Sequence, residues 1–191
     1  WQCALNADGT FTQANCNTLS IPTGTGPQGL LIIGSYLVNV SSTNQINSCL
    51  ISNVNGTLST CTRTGSTDGS GTSNFVGLNN SRGIAITTIS GTTYGYIINN
   101  GSNSVTRCNV NIATGIFTNC ATNLSSNLNG PRGIDIYTTL NGTVNAYIAN
   151  RSGTSVTICS INTSGNLTGC SVTSGGTAGF NAPEEIHLKN F

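Results

Sequence analysis

Short runs of β-branched and aromatic residues, in which apolar and polar positions alternate, recur between turn signals along the whole chain, and helix signals are absent. Three phrases repeat. The first comprises Pro27-Gln28-Gly29-Leu30, Ser81-Arg82-Gly83-Ile84, Pro131-Arg132-Gly133-Ile134 and Pro183-Glu184-Glu185-Ile186, each opening a β-branched run. The second comprises Tyr36-Leu37-Val38-Asn39, Tyr96-Ile97-Ile98-Asn99 and Tyr147-Ile148-Ala149-Asn150, followed by further strand signals at Ile46, Val105 and Val156. The third is a pair of cysteines, Cys3/Cys16, Cys49/Cys61, Cys108/Cys120 or Cys159/Cys170, with a turn signal between them such as Ala113-Thr114-Gly115 or Thr163-Ser164-Gly165. Eight cysteines can pair in about a hundred ways, but couples 11 to 13 positions apart remove most of that freedom. Each couple reads as a stapled β-hairpin, its closed loop worth about 3 kcal/mol in the chain-entropy model. Zinc does not explain the cysteines, because there is no Cys-x-x-Cys and only one histidine.

The predicted unit is therefore four antiparallel strands in about 50 residues: the Gly-Ile strand, the Tyr-x-x-Asn strand and the two arms of the stapled hairpin. Such a period predicts an all-β fold, a β-propeller of about four blades, each sheet burying both faces against its neighbours. The Tyr-x-x-Asn phrase, preceded by Pro-x-Gly-Ile, resembles the YVTN and NHL-type β-propeller repeat proteins in a secreted, cysteine-stapled version. That resemblance covers nearly the whole chain and implies an extracellular role in binding or surface architecture, with no shared catalytic residue to carry over. Such propellers commonly have more blades than this chain can build. Residues 1–191 are expected to form one domain, with the hairpin 1–16 and the strand 183–191 sharing a closing blade. That blade lacks its Tyr-x-x-Asn strand, leaving it incomplete within the chain and its backbone unpaired.

Composition sets the surroundings. Six basic and five acidic side chains make 6% of the residues, with a net charge of +1. A typical soluble domain carries roughly a quarter. There is no basic field for nucleic acid and no cluster for anionic lipid. No run of roughly 18 apolar residues suggests membrane insertion. Eight cysteines and no methionine predict a processed, exported polypeptide in an oxidising compartment, hence an extracellular location. Sequons at Asn39, Asn55, Asn79, Asn100, Asn123, Asn141, Asn150, Asn162 and Asn166 are glycosylation candidates, Asn39 and Asn150 at one repeat position.

Gln28, Arg82, Arg132 and Glu184 share the repeat position that opens the innermost strand, so they are expected to line one mouth of the channel. They could grip an anionic or sugar ligand, although Glu184 or Glu185 could instead fasten the closing strand to Arg132. Arg63, Arg107, Arg151 and Lys189 are read as solvated. Asp135 and His187 share the next position and suggest a buried hydrogen-bonded pair between blades rather than part of a triad, since no nucleophile accompanies them. Asp8 and Asp68 sit in turn-like phrases that lack the other carboxylates of a calcium loop. Phe75, Leu78, Leu128 and Phe180 before the Gly-Ile strands, and Phe11, Leu58, Phe117 and Leu167 in the hairpins, are read as core. No catalytic residue, metal or cofactor is expected. The missing strand points to a non-enzymatic structural module, a filament or surface-coat subunit joining copies of itself by strand complementation. The alternative is a glycan-binding, lectin-like propeller.

Overall fold

The computed structural model describes residues 26–54, 56–64, 77–174 and 179–188, together with the backbone of 2–5 and 11–17. Asp8, Asn55, Asp68, Phe75 and Lys189 lie outside the described residues, as do the side chains of Cys3, Phe11 and Cys16. The described elements are β1 (Gln2–Leu5), β2 (Phe11–Asn17), β3 (Pro27–Ile33), β4 (Tyr36–Ser41), β5 (Gln45–Ile51), β6 (Leu58–Thr64), β7 (Ser81–Ile89), β8 (Thr92–Asn99), β9 (Ser104–Asn111), β10 (Ile116–Leu124), β11 (Pro131–Thr138), β12 (Val144–Asn150), β13 (Ser155–Ile161) and β14 (Leu167–Thr173). They form three four-stranded antiparallel sheets, β3-β4-β5-β6, β7-β8-β9-β10 and β11-β12-β13-β14, and a separate hairpin β1-β2. Each strand pairs with its sequence neighbour, as short turns between β-branched runs dictate.

The cysteine couples staple the outer hairpins. Cys49–Cys61, Cys108–Cys120 and Cys159–Cys170 are disulfide-bonded, and Cys3 faces Cys16 across the β1-β2 ladder. At the tip of the second hairpin Gly115 adopts φ 66°, left-handed backbone that suits glycine, while its N–H donates to Asn111 O at 2.8 Å.

Among the described residues three sheets are complete, and the blade expected to be incomplete does not assemble as a sheet of its inner strand and hairpin. Residues 183–188, expected to be a closing strand, lie against β11 at Gly133 yet form no ladder. The physical reason is that an inner strand needs a second strand to receive its N–H and C=O groups. None stands beside this one among the described residues.

The first sheet also corrects the repeat alignment. Leu31, Ala85 and Asp135, which follow the shared glycine by two, pair with Val38, Tyr96 and Tyr147. Ser41, not Asn39, therefore occupies the place of Asn99 and Asn150. A slip of two residues keeps every side chain on its face, so the alternation alone does not reveal it.

Adjacent sheets pack face to face. Val38, Val40 and Ile46 of the first meet Ile84, Ile97, Val110 and Phe117 of the second. Tyr96, Ile98 and Val105 of the second meet Ile134, Ile148, Ile161 and Leu167 of the third. Polar pins cross the same interfaces. Ser48 Oγ donates to Gly115 O at 2.6 Å, and Tyr96 OH donates to Gly165 O at 2.8 Å, so each sheet holds the hairpin tip of the next. Leu78, Phe117 and Leu167 are buried as core. Phe180, also read as core, is 37% exposed, because it precedes the segment whose sheet is not assembled.

Candidate functional site

The inner strands are packed backbone to backbone by glycine. A Cβ on Gly29 would stand 2.6 Å from Arg82 O, one on Gly83 2.5 Å from Arg132 O, and one on Gly133 2.7 Å from Glu184 O. Real Cβ atoms do not come so close, and only glycine permits this spacing. The residue just before each glycine is thereby brought beside its counterpart in the next strand. Gln28, Arg82, Arg132 and Glu184 converge as expected, and all four line a cavity of about 330 Å³ together with Glu185 and His187. The cavity also has an apolar lining, Leu30, Ile84 and Ile134 from the inner strands and Ile186 from the segment 183–188.

The polar contacts run sideways along this row. Arg82 Nη1 donates to Gln28 Oε1, and Arg132 Nη1 lies 3.3 Å from Glu184 Oε1. Arg151, read as solvated, reaches in from the β12-β13 turn and places its Nε 2.8 Å from the same oxygen. Arg82 Nε and Arg132 Nε are buried and have no hydrogen-bond partner. Burial, and next the neighbouring Arg132 guanidinium, lower the Arg82 pKa from its ordinary value. With Arg151, five of the eleven charged side chains and the single histidine gather at this mouth. In so weakly charged a chain that concentration is the clearest chemical signal, and Arg151 is the one member that only the spatial neighbourhood reveals.

Asp135 and His187 do not form the expected pair. The Asp135 carboxylate turns to backbone, accepting from Ile136 N at 2.8 Å and from Leu188 N at 2.7 Å. His187 is 80% exposed, with Nε2 3.4 Å from Glu185 Oε2. Residues two apart on an extended segment share a face, which is why the histidine meets Glu185. Arg107, also read as solvated, lies over the Tyr94 ring and donates to Ser164 O and Asn166 Oδ1. Arg63 likewise has an interaction partner.

Two glycosylation candidates are corrected by burial. Asn39 and Asn150 are 3% and 1% exposed. Asn39 Nδ2 donates to Val40 O at 2.9 Å and Asn150 Nδ2 to Thr157 Oγ1 at 2.8 Å, so a glycan on either nitrogen is incompatible with this packing. Asn100 Nδ2 donates to Pro131 O, Asn123 Nδ2 donates to Asn166 Oδ1, and these three residues are half-buried. Asn79, Asn141 and Asn162 are exposed.

No family model matches this sequence, and no curated protein matches it. Solved structures do. An auxiliary nutrient binding protein from Bacteroides ovatus is 17% identical with a TM-score of 0.56, over 91% of this chain and 46% of that one. A proposed 6-phosphogluconolactonase from Bacteroides uniformis is 19% identical with a TM-score of 0.58, over 90% and 51%. A periplasmic gluconolactonase of Pseudomonas aeruginosa is 15% identical with a TM-score of 0.58, over 85% and 42%. This chain spans about half the length of these structures, and the likeness is one of fold, β-propeller-like. None of the three is named as a filament or coat subunit, and two are named for enzymes. The structural-subunit and non-enzyme expectations are overturned by these neighbours, and the lectin alternative gains no support from them.

Proposed function

We propose that the chain is a secreted, propeller-type binding protein of the YVTN and NHL kind, whose Arg82/Arg132 mouth takes a small carboxylate-bearing solute. One observation carries the reading. Two repeat-equivalent guanidinium groups each spend Nη1 on a neighbour and keep a buried Nε–H unpaired. A buried donor without an acceptor costs about 1–3 kcal/mol, so an oxyanion toward which both guanidinium groups turn relieves two such costs at once. The apolar wall of Leu30, Ile84, Ile134 and Ile186 suits the carbon chain of such a solute. Three disulfides fit a non-cytoplasmic setting, and the nutrient-binding neighbour is consistent with solute capture. The test is a calorimetric titration with gluconate, a hydroxylated carboxylate. Binding that is lost in an Arg82→Gln/Arg132→Gln variant of unchanged melting temperature supports the reading, and equal binding by that variant refutes it.

A second reading, lactone hydrolysis, is favoured by the Glu185–His187 pair on the same mouth and by the two lactonases among the structural neighbours. In this reading His187 Nδ1, its ring held by the Nε2–H donated to Glu185, takes a proton from water as the oxygen bonds to the lactone carbonyl carbon. The acyl C–O bond then breaks, the ring oxygen receives that proton from His187, the new carboxylic acid loses its own proton to solvent, and the carboxylate is left beside Arg82 and Arg132. Gluconolactone opening above the spontaneous rate, abolished by His187→Ala, would establish it. A rate equal to buffer would remove it.

A further inference from the structure

Within the binding reading above, one carboxylate already stands where an external one would. Glu184 Oε1 bridges Arg151 Nε at 2.8 Å and Arg132 Nη1 at 3.3 Å, and the Glu184 side chain is 53% exposed. The backbone that carries it is loosely tied. Residues 183–188 form no ladder. Their remaining ties to β11 are the Leu188 N–H donated to Asp135 and the packing of Glu184 and Glu185 backbone over Gly133. Two guanidinium groups thus hold one carboxylate, and that carboxylate is carried by a segment that joins no ladder.

We infer that Glu184 is a built-in competitor for the carboxylate site, displaced from Arg132 and Arg151 when a carboxylate ligand enters, so that occupancy of the mouth loosens residues 183–188. The ligand class follows from the charge: an incoming carboxylate replaces another beside Arg132 and Arg151, whereas a neutral polyol cannot repay the lost ion pairs. Because Glu184 must leave, the affinity of the intact protein is lowered by the strength of its two partly exposed ion pairs.

The experiment measures gluconate binding to the wild type, Glu184→Gln and Glu185→Gln, with hydrogen exchange of residues 183–188 followed in the wild type. Glu185→Gln removes the same charge from the same wall but touches neither arginine in the contacts above, so it isolates the general field from competition. The expected result is affinity about five- to tenfold tighter for Glu184→Gln and less than about twofold tighter for Glu185→Gln. Exchange at 183–188 is expected to quicken when gluconate saturates the wild type. Equal gains in the two variants, or unchanged exchange on saturation, would overturn the competitor role and leave the binding reading standing. No binding by the wild type or by Glu184→Gln would overturn both.

Discussion

Replacing Gly83 by alanine tests whether backbone-to-backbone packing of the inner strands is what builds the mouth. The new Cβ would meet Arg132 O at 2.5 Å, Gly133 Cα at 3.3 Å and Ile134 N at 3.4 Å. All three are main-chain atoms of β11, so no side chain can rotate away. Restoring ordinary contact at about 3.4 Å requires β7 and β11 to part by close to 1 Å. Gly83 is not in the left-handed region, which leaves sterics as the sole cost. Overpacking of this kind costs about 1–3 kcal/mol. For a chain of this length each kcal/mol lowers Tm by about 2–4 °C, giving an expected loss of about 2–12 °C. Calorimetric unfolding of wild type, Gly83→Ala and Gly91→Ala measures it. Gly91 is a useful contrast, because its φ of 80° makes alanine strained while nothing lies within 4 Å of the added methyl. The two variants separate on the site: Gly83→Ala should weaken gluconate binding by spreading Arg82 from Arg132, and Gly91→Ala should not. A Gly83→Ala protein melting within about 1 °C of wild type and binding equally well would refute the packing argument.

Asn150→Ala should cost about 1–3 kcal/mol. Its buried amide accepts from Asn129 N at 3.2 Å and donates to Thr157 Oγ1 at 2.8 Å, and denaturant unfolding would register the loss. Burial raises the Tyr96 pKa above its ordinary value, and Arg107 only partly offsets that. The folded state keeps the phenol neutral, so its stabilising contribution is full below about pH 10 and falls as the pH rises beyond it. Alkaline unfolding should therefore be shallower in Tyr96→Phe, and an identical pH profile would contradict this. In material exported from a eukaryotic host, peptide mass analysis should find glycan at Asn141 or Asn162 and none at Asn39 or Asn150; occupancy of a buried pair member would contradict the packing described.

The strands and staples were legible because each rests on local physics. Period-two alternation, turn glycines and cysteines about a dozen residues apart act within one hairpin, and β9-β10 with Cys108–Cys120 matches its sequence pattern closely. The convergence of Gln28, Arg82, Arg132 and Glu184 was legible for a related reason, since residues at one repeat position must form a row. Partners set by packing between sheets were not. Arg151 looked solvated because nothing near it in sequence is acidic, yet the turn that carries it overhangs Glu184. Arg107 meets Tyr94 across the β8-β9 ladder of its own sheet, and finds the next hairpin only after the second and third sheets dock. Asn39 matched Asn99 and Asn150 by phrase while the ladder set it two residues away, a slip that alternation conceals.

The unpaired guanidinium donors can be observed individually. In protein labelled with nitrogen-15 at arginine, the Nε–H signals of Arg82 and Arg132, assigned by substitution, are followed as gluconate is added. Both should move together and slow in exchange with water as they gain an acceptor, with Arg151 shifting as Glu184 departs and Arg63 and Arg107 staying fixed. Signals of Arg82 and Arg132 that remain unchanged at saturating gluconate would contradict the assignment of this mouth as a carboxylate site.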